Sequence, residues 1–363
     1  MAIYTPLNKA DIEVFLAQYD IGTLISFEGI AEGVSNTNYL ITVSIPSPLR
    51  GEGGERSERE GVIAEGKSLQ QTTNVASKTT PSLTLPPQGG GERKFILTLF
   101  ERHYNIEDLP YFVALMDWWR GRSIGCPQPI KLKDGRTLSA LKEKPALLVS
   151  FLEGSGVAKI TLEHMTQLGT LAANMHISGM DFPHERANSL SIKGWEKIID
   201  KIIDRVDEIE PGLRALINEE YNDLSEHWPS GLPGGPIHAD LFPDNVFFEK
   251  AFGKPPKLSG VIDFYFACND AWAYDLAICV NAWCFDERHR FVKERAEALM
   301  HAYNDARPLQ QEEEAVFPLL LRGAALRFLL TRSYDVLYPD PDAVITNKDP
   351  LEYVAKLRHW HGK

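Results

Sequence analysis

His238-Ala-Asp240-Leu-Phe-Pro-Asp244-Asn245 sets an imidazole, two carboxylates and an amide within eight residues, and Val261-Ile262-Asp263-Phe264 adds a third carboxylate on the next apolar run. Asp240 and Asn245 lie five apart on a Pro-containing turn, and Asp263 follows on a second strand, so a short hairpin brings three oxygen-bearing side chains together. Such a trio suits a hydroxyl substrate beside Mg2+, the arrangement that moves a phosphoryl group from ATP. Positioning and charge neutralisation make up most of the catalysis in that reaction class. Asp240 is therefore the candidate catalytic carboxylate, and Asn245 and Asp263 are the candidate metal ligands. His238 is assigned to holding the loop through backbone hydrogen bonds. A second reading is a Zn2+ or two-metal hydrolase site on His238, Asp240 and Asp263. Such sites recruit further histidines, and His103, His164, His176, His227, His289 and His301 are scattered without ligand spacing.

The elements that must position these groups show in the periodicity. Asn8 caps a first helix through Leu16, with Asp11 completing an Asx version of the capping box. Strands are predicted at about 24–32, 37–43 and 94–101, a helix over 107–122, and a buried strand over 145–151. From Thr161 the pattern turns helical: 162–176, 192–209 and 213–228 precede the loop, and 273–283, 292–303, 317–330 and 351–359 follow it. The fold class is α+β, with a small β-rich lobe carrying one main helix over 1–150 and a larger, mostly helical lobe over 151–363. The ligand cleft falls between them.

One stretch stands apart. Residues 45–93 are rich in Gly, Pro, Ser, Thr and charge, and the two ends resemble each other, Pro48-Leu-Arg-Gly-Glu-Gly-Gly-Glu-Arg56 against Pro86-Pro-Gln-Gly-Gly-Gly-Glu-Arg93. The composition predicts a disordered insertion at the tip of a β-hairpin; the rival reading is a substrate lid.

Composition narrows the partners. A chain of 363 residues with net charge −12 and no sustained basic run is not built to hold nucleic acid. It contains no uncharged apolar stretch of about 18 residues or more. A cytoplasmic protein without a membrane partner is expected, monomer or homodimer. Cys126, Cys268, Cys279 and Cys284 sit in apolar surroundings and read as reduced core thiols.

His-x-Asp-x-x-x-x-Asn followed by Ile-Asp-Phe resembles the aminoglycoside phosphotransferase and choline kinase superfamily, which has a two-lobed protein-kinase-like fold. The segments Gly29-Ile-Ala-Glu-Gly33-Val-Ser-Asn-Thr-Asn38, Phe266-Ala-Cys-Asn-Asp-Ala-Trp-Ala-Tyr-Asp-Leu-Ala-Ile-Cys-Val-Asn-Ala-Trp-Cys-Phe285, Arg322-Gly-Ala-Ala-Leu-Arg-Phe-Leu-Leu-Thr-Arg332 and Lys348-Asp-Pro-Leu-Glu-Tyr353 are similar to its bacterial homoserine kinases. That resemblance implies ATP-dependent phosphorylation of the L-homoserine hydroxyl to O-phospho-L-homoserine, a step of threonine biosynthesis, with ATP and Mg2+ as cofactors. It implies a phosphate-covering turn with Gly29, Gly33, Asn36 and Asn38, and an adenine-facing hinge with Ser150 and Leu152. The substrate ammonium and carboxylate need opposite charges, for which Asp270 or Asp275 and Arg327 or Arg332 are candidates. For Asp275 a role in tying the loop down is an equal alternative, and Arg327 also fits pairing with a neighbouring carboxylate. The wider superfamily puts a Lys or Arg in the third strand, where this chain has Thr98, so Lys94, Arg102 or a second Mg2+ is expected to compensate. Two alternatives to homoserine phosphorylation remain at this stage: the same chemistry on another amino alcohol, a sugar or an aminoglycoside, and a nucleotide-binding module without catalysis.

Overall fold

The structure, a computed structural model, describes residues 5–30, 36–45, 91–101, 105–249, 253, 255–339 and 348–361. Gly33, Arg102, His103 and residues 46–90 lie outside the described residues.

The first helix, α1 (Lys9–Leu16), starts as its cap requires: Asp11 N donates to Asn8 Oδ1 and Asn8 N donates to Asp11 Oδ2, each at 3.0 Å. Strands β1 (Thr23–Gly29), β2 (Asn36–Ile45), β3 (Gly91–Phe100), β4 (Leu138–Leu141) and β5 (Lys144–Ser150) form one antiparallel sheet in the order β1-β2-β3-β5-β4. Strand β4 is missing from the sequence reading because its hairpin turn carries no Gly or Asn: Lys142 and Glu143 take the left-handed conformation, with φ of 51° and 62°.

Strand pairing corrects the limits of the inserted stretch. The β2–β3 register runs unbroken from Asn36↔Phe100 to Ile45↔Gly91, so Ile45 and Gly91 to Arg93 belong to the sheet. The ends of 46–90 therefore start side by side. Replacing 46–90 with a two-residue Asn-Gly turn is expected to leave melting temperature and turnover close to those of the parent, since loop length enters stability at only about 0.6 kcal/mol per doubling. A severe loss of turnover would instead assign the segment to catalysis.

Alternation along the strands gives the sheet two different faces. Tyr39, Ile41, Val43, Phe95, Leu97, Leu99, Ala146 and Leu148 pack on Ile12, Phe15 and Leu16 of α1 as one core. The opposite face, with Ile96, Phe100, Leu147 and Val149, joins the main core through α2 (Leu109–Arg120). Thr98 shares this second face by register.

The rest of the chain is mostly helical: α3 (Leu162–Gly179), α4 (Ile192–Ile202) and α5 (Leu213–His227), then α6 (Trp272–Trp283), α7 (Lys293–Ala306), α8 (Gln311–Leu337) and α9 (Leu351–Trp360). Between the two groups lie two small antiparallel pairs, β6 (Gly234–Ile237) with β9 (Cys268–Ala271), and β7 (Val246–Glu249) with β8 (Lys257–Val261). The β6–β9 pair escapes sequence reading because Gly-Gly-Pro and Cys-Asn-Asp resemble turns. Helix α8 begins six residues before its expected start at Phe317, at a capping box of Gln310 and Glu313, and accommodates Pro318 inside. Helix α4 stops at Ile202 rather than Ile209, where a short 3-10 turn over Val206–Glu208 takes over. All four cysteines are buried and unpaired, as expected. Among the described residues no helix is long and apolar enough to cross a membrane.

Candidate active site

Strand β6 delivers His238, and the chain then turns through Ala239, whose φ of 62° is left-handed. A non-glycine residue keeps such a conformation only where the surroundings enforce it. Asp275, in the first turn of α6, does so: His238 N donates to its Oδ2 at 3.1 Å and Ala239 N to its Oδ1 at 2.8 Å. From α8, Arg327 Nη1 donates to Ala239 O at 2.7 Å, and Trp283 Nε1 of α6 donates to Leu241 O at 2.7 Å. The loop backbone is thus gripped on successive residues by two helices.

Behind Asp275 runs a buried relay. His176 Nε2 lies 3.2 Å from Asp275 Oδ2, and its Nδ1 lies 2.8 Å from Tyr303 Oη. Arg307 Nη1 donates to that same hydroxyl at 2.9 Å, and its Nη2 pairs with Glu313 at 3.0 Å. Burial alone would raise the Asp275 pKa, but the bonds and charge around it outweigh burial and hold it below the ordinary value. Burial pushes His176 down, so we take the pair as neutral imidazole donating to carboxylate.

His238 is fully buried, which pushes its pKa down to about 4. Its Nε2 faces Ile262 O at 3.0 Å, and a carbonyl only accepts, so Nε2 carries the proton. The ring therefore fastens the loop to the residue before Asp263.

The three oxygen-bearing side chains converge as the spacing requires. Asn245 Nδ2 donates to Asp240 Oδ2 at 2.8 Å and to Asp240 O at 2.9 Å. Ile262 N donates to Asn245 O at 2.9 Å, at the end of the β7–β8 pair, which brings Asp263 alongside. Asp263 has φ of 65°, a second left-handed residue, and its followers anchor it. Phe264 packs against Trp119 and His238, and Tyr265 sits edge-on to Phe100 of β3 at 5.2 Å.

Burial raises the pKa of both carboxylates, Asp240 to about 6 and Asp263 to about 7, with repulsion from Asp240 and Asp244 adding to Asp263. Asp263 nevertheless keeps much of its surface open to solvent, so we give the repulsion more weight than burial there. A nearby positive charge would draw both pKa values back down. Among the described residues no group of three or more His, Cys, Asp or Glu gathers as a metal cage, and His238, the imidazole of the zinc reading, spends its Nε2 on Ile262 O. An amide and a carboxylate instead suit a hard cation that keeps waters and phosphate oxygens in its shell.

The remaining candidates are placed differently from one another. Gly29 closes β1 opposite Tyr39. Asn36 Oδ1 accepts from Glu101 N at 3.3 Å, and Asn38 Oδ1 accepts from Thr98 Oγ1 at 2.7 Å, so these amides brace the sheet. Ser150 N donates to Gln128 O at 2.8 Å, and Leu152 stands two residues on, half-buried. Asp275 resolves toward tying the loop down. Arg332 is likewise occupied, by Glu352 at 2.6 Å and Asp349 O at 3.0 Å, clamping α8 to α9. Asp270 accepts from Asn188 Nδ2 at 2.6 Å and feels the charge of Arg327. A cavity of about 180 Å³ lined by Trp228, Leu232, Asp270 and Leu320 touches none of Asp240, Asn245 or Asp263. Sequence reading passed over His176 and gave no role to Lys348; both act across more than 90 residues, and neither carries a local signal.

This arrangement on this sheet-and-helix frame defines a kinase-like phosphotransferase. The chain aligns with a spectinomycin phosphotransferase solved with ADP and spectinomycin, with a TM-score of 0.60 at 11% identity over 99% of this chain and 96% of that one. It aligns with an amicoumacin kinase solved with AMP-PNP and Ca2+, with a TM-score of 0.59 at 13% identity over 98% and 92%. The chain belongs to the phosphotransferase enzyme family, whose pattern matches residues 88–309, and within it to the homoserine kinases. It is 43% identical to homoserine kinase of Paramagnetospirillum magneticum over 100% of this chain and 97% of that protein, and 44% identical to that of Rhodopseudomonas palustris over 99% and 94%.

Proposed function

We propose that the chain phosphorylates the hydroxyl of L-homoserine with ATP, giving O-phospho-L-homoserine and ADP for threonine biosynthesis. The observation that carries the chemistry is the Asn245 amide donating to Asp240 while its backbone O accepts from Ile262 N, next to Asp263. Asp240 takes the proton as the substrate oxygen attacks the terminal phosphorus and the bond to ADP breaks. Asn245 spends Nδ2 on Asp240, which leaves Oδ1, with an Asp263 carboxylate oxygen, to hold Mg2+. When bound, Mg2+ neutralises phosphate charge. His238 fastens the loop to Ile262, and Leu152 together with Gly29 serves adenine and phosphates. For the amino-acid end of the substrate, Arg327 and Asp270 are retained: Arg327 is buried beside Asp240 with no hydrogen-bond partner on Nε. Asp275 and Arg332 are withdrawn, their charges being occupied. Reduced thiols and a need for ATP fit a cytoplasmic setting. Steady-state rates with ATP and Mg2+ on homoserine, amino alcohols, sugars and aminoglycosides test the reading; turnover of another alcohol alongside failure with homoserine would overturn it.

The raised pKa of Asp263 has a measurable sign. A carboxyl whose folded pKa of about 7 lies above the unfolded 3.8 stabilises the fold at low pH and loses that contribution as pH rises through 7. Asp263→Asn is therefore expected to raise the melting temperature of the metal-free protein at about pH 8, by about 1–2 °C after allowing for the exposure of the group. The variant should also lose the stabilisation that Mg2+ with ADP confers on the parent. A lower melting temperature at that pH, or an unchanged response to Mg2+, would contradict the assignment.

A further inference from the structure

We propose that Lys348 is the cation facing the transferring phosphoryl group. The inference rests on the phosphoryl-transfer reading above and adds a residue to that site. The site sets three carboxylates, Asp240, Asp244 and Asp263, against an incoming polyphosphate, and Thr98, at the strand position where the resemblance leads one to expect a Lys or Arg, forms a neutral hydrogen-bonded pair with Asn38. Positive charge must come from elsewhere.

Among the described residues the sheet does not supply it at that point, and Arg102, the other arginine candidate, lies outside them. Lys144 shares its strand face with Ala146 and Leu148, the face turned to α1, where it bonds Glu101 and Thr5. Lys94 lies on the same face as Thr98 but four residues toward the hinge, about 13 Å along the strand, with its Nζ 5.6 Å from the Phe151 ring. Arg327 donates to Ala239 O beneath the loop.

Lys348, three residues before α9, reaches the catalytic loop directly. Its Nζ lies 2.9 Å from Asp244 Oδ2 and 5.3 Å from the Phe242 ring centroid. The side chain is 52% exposed, so an ammonium with three donors keeps capacity for a ligand beyond its one carboxylate. Its charge lowers the pKa of both Asp240 and Asp263, which places it within electrostatic reach of the two groups that bracket the reaction. A compact point charge on a flexible stem can follow a phosphoryl group from donor to acceptor.

The test compares Lys348→Ala, Lys348→Met and Lys348→Arg with the parent, each checked for folding by thermal melt. For the Ala and Met variants kcat is expected to fall about 100-fold, the scale of a lost transition-state donor, with partial recovery in the Arg variant. In calorimetry with Mg2+ they are expected to bind AMP-PNP about 10-fold more weakly, while ADP, which lacks the third phosphate, binds as in the parent. A kcat within about 3-fold of the parent, an equal loss for ADP, or a rise confined to the homoserine KM would overturn the proposal, the last reassigning Lys348 to the substrate carboxylate. Should the parent fail to phosphorylate homoserine, the substrate reading falls, and the AMP-PNP and ADP contrast still decides the role of Lys348.

Discussion

Asp240→Asn is expected to fold as the parent does and to lose at least about 100-fold in kcat, the scale of a positioned acid–base group. Folding is preserved because the substituted amide still offers an oxygen to Asn245 Nδ2, and because the loop backbone is held by Asp275, Arg327 and Trp283 rather than by Asp240. Catalysis is lost because an amide cannot take the hydroxyl proton. Binding of ATP and homoserine should change little, so the defect falls on kcat rather than KM. The protonation of Asp240 adds a pH signature: with its pKa near 6, parent activity should fall as pH drops through that value, at higher pH than for a carboxylate at its ordinary 3.8. Mg2+ beside it should move that limb to lower pH. Steady-state kinetics and thermal melts of the variant decide the matter, near-normal turnover being incompatible with the role given to Asp240.

Asp275→Asn is expected to be the most damaging change to the fold. The carboxylate accepts from two backbone N–H groups and faces His176, all in a fully buried setting. A carboxamide has one acceptor oxygen and would present N–H to an N–H, so at least one buried donor loses its partner. Removing one member of a buried charged network costs about 3–5 kcal/mol, a large part of the stability of an ordinary domain. Activity falls as well, because the left-handed turn at Ala239 then lacks the anchor that sets the direction of Asp240. Denaturant unfolding measures the loss; a value below about 1 kcal/mol would mean the relay from Asp275 to Glu313 is dispensable.

The legible and hidden parts of this site divide along physical lines. Asp240, Asn245 and Asp263 announce themselves because their chemistry and spacing are local and the β7–β8 hairpin between them is short. The amphipathic helices show through their apolar period, and α1 through its cap. Asp275 shows in the sequence as one of two readings, but what stands behind it is hidden, since His176, Tyr303, Arg307 and Glu313 meet it only in three dimensions and each alone looks like an ordinary surface or core residue. The left-handed turn at Lys142-Glu143 and the one at Ala239 are hidden for another reason: tertiary contacts hold residues there that local propensity disfavours. Arg332 illustrates the converse, a plausible functional group already committed to a structural partner that the sequence does not display.

The division of labour between the two carboxylates is the central claim, and single-turnover phosphoryl transfer to homoserine across a range of Mg2+ concentration tests it most directly. The account predicts that Asp263→Asn, a weakened metal ligand, recovers much of its rate as Mg2+ is raised, whereas Asp240→Asn stays at its low rate at every concentration. Equal recovery of both variants, or of neither, would contradict it.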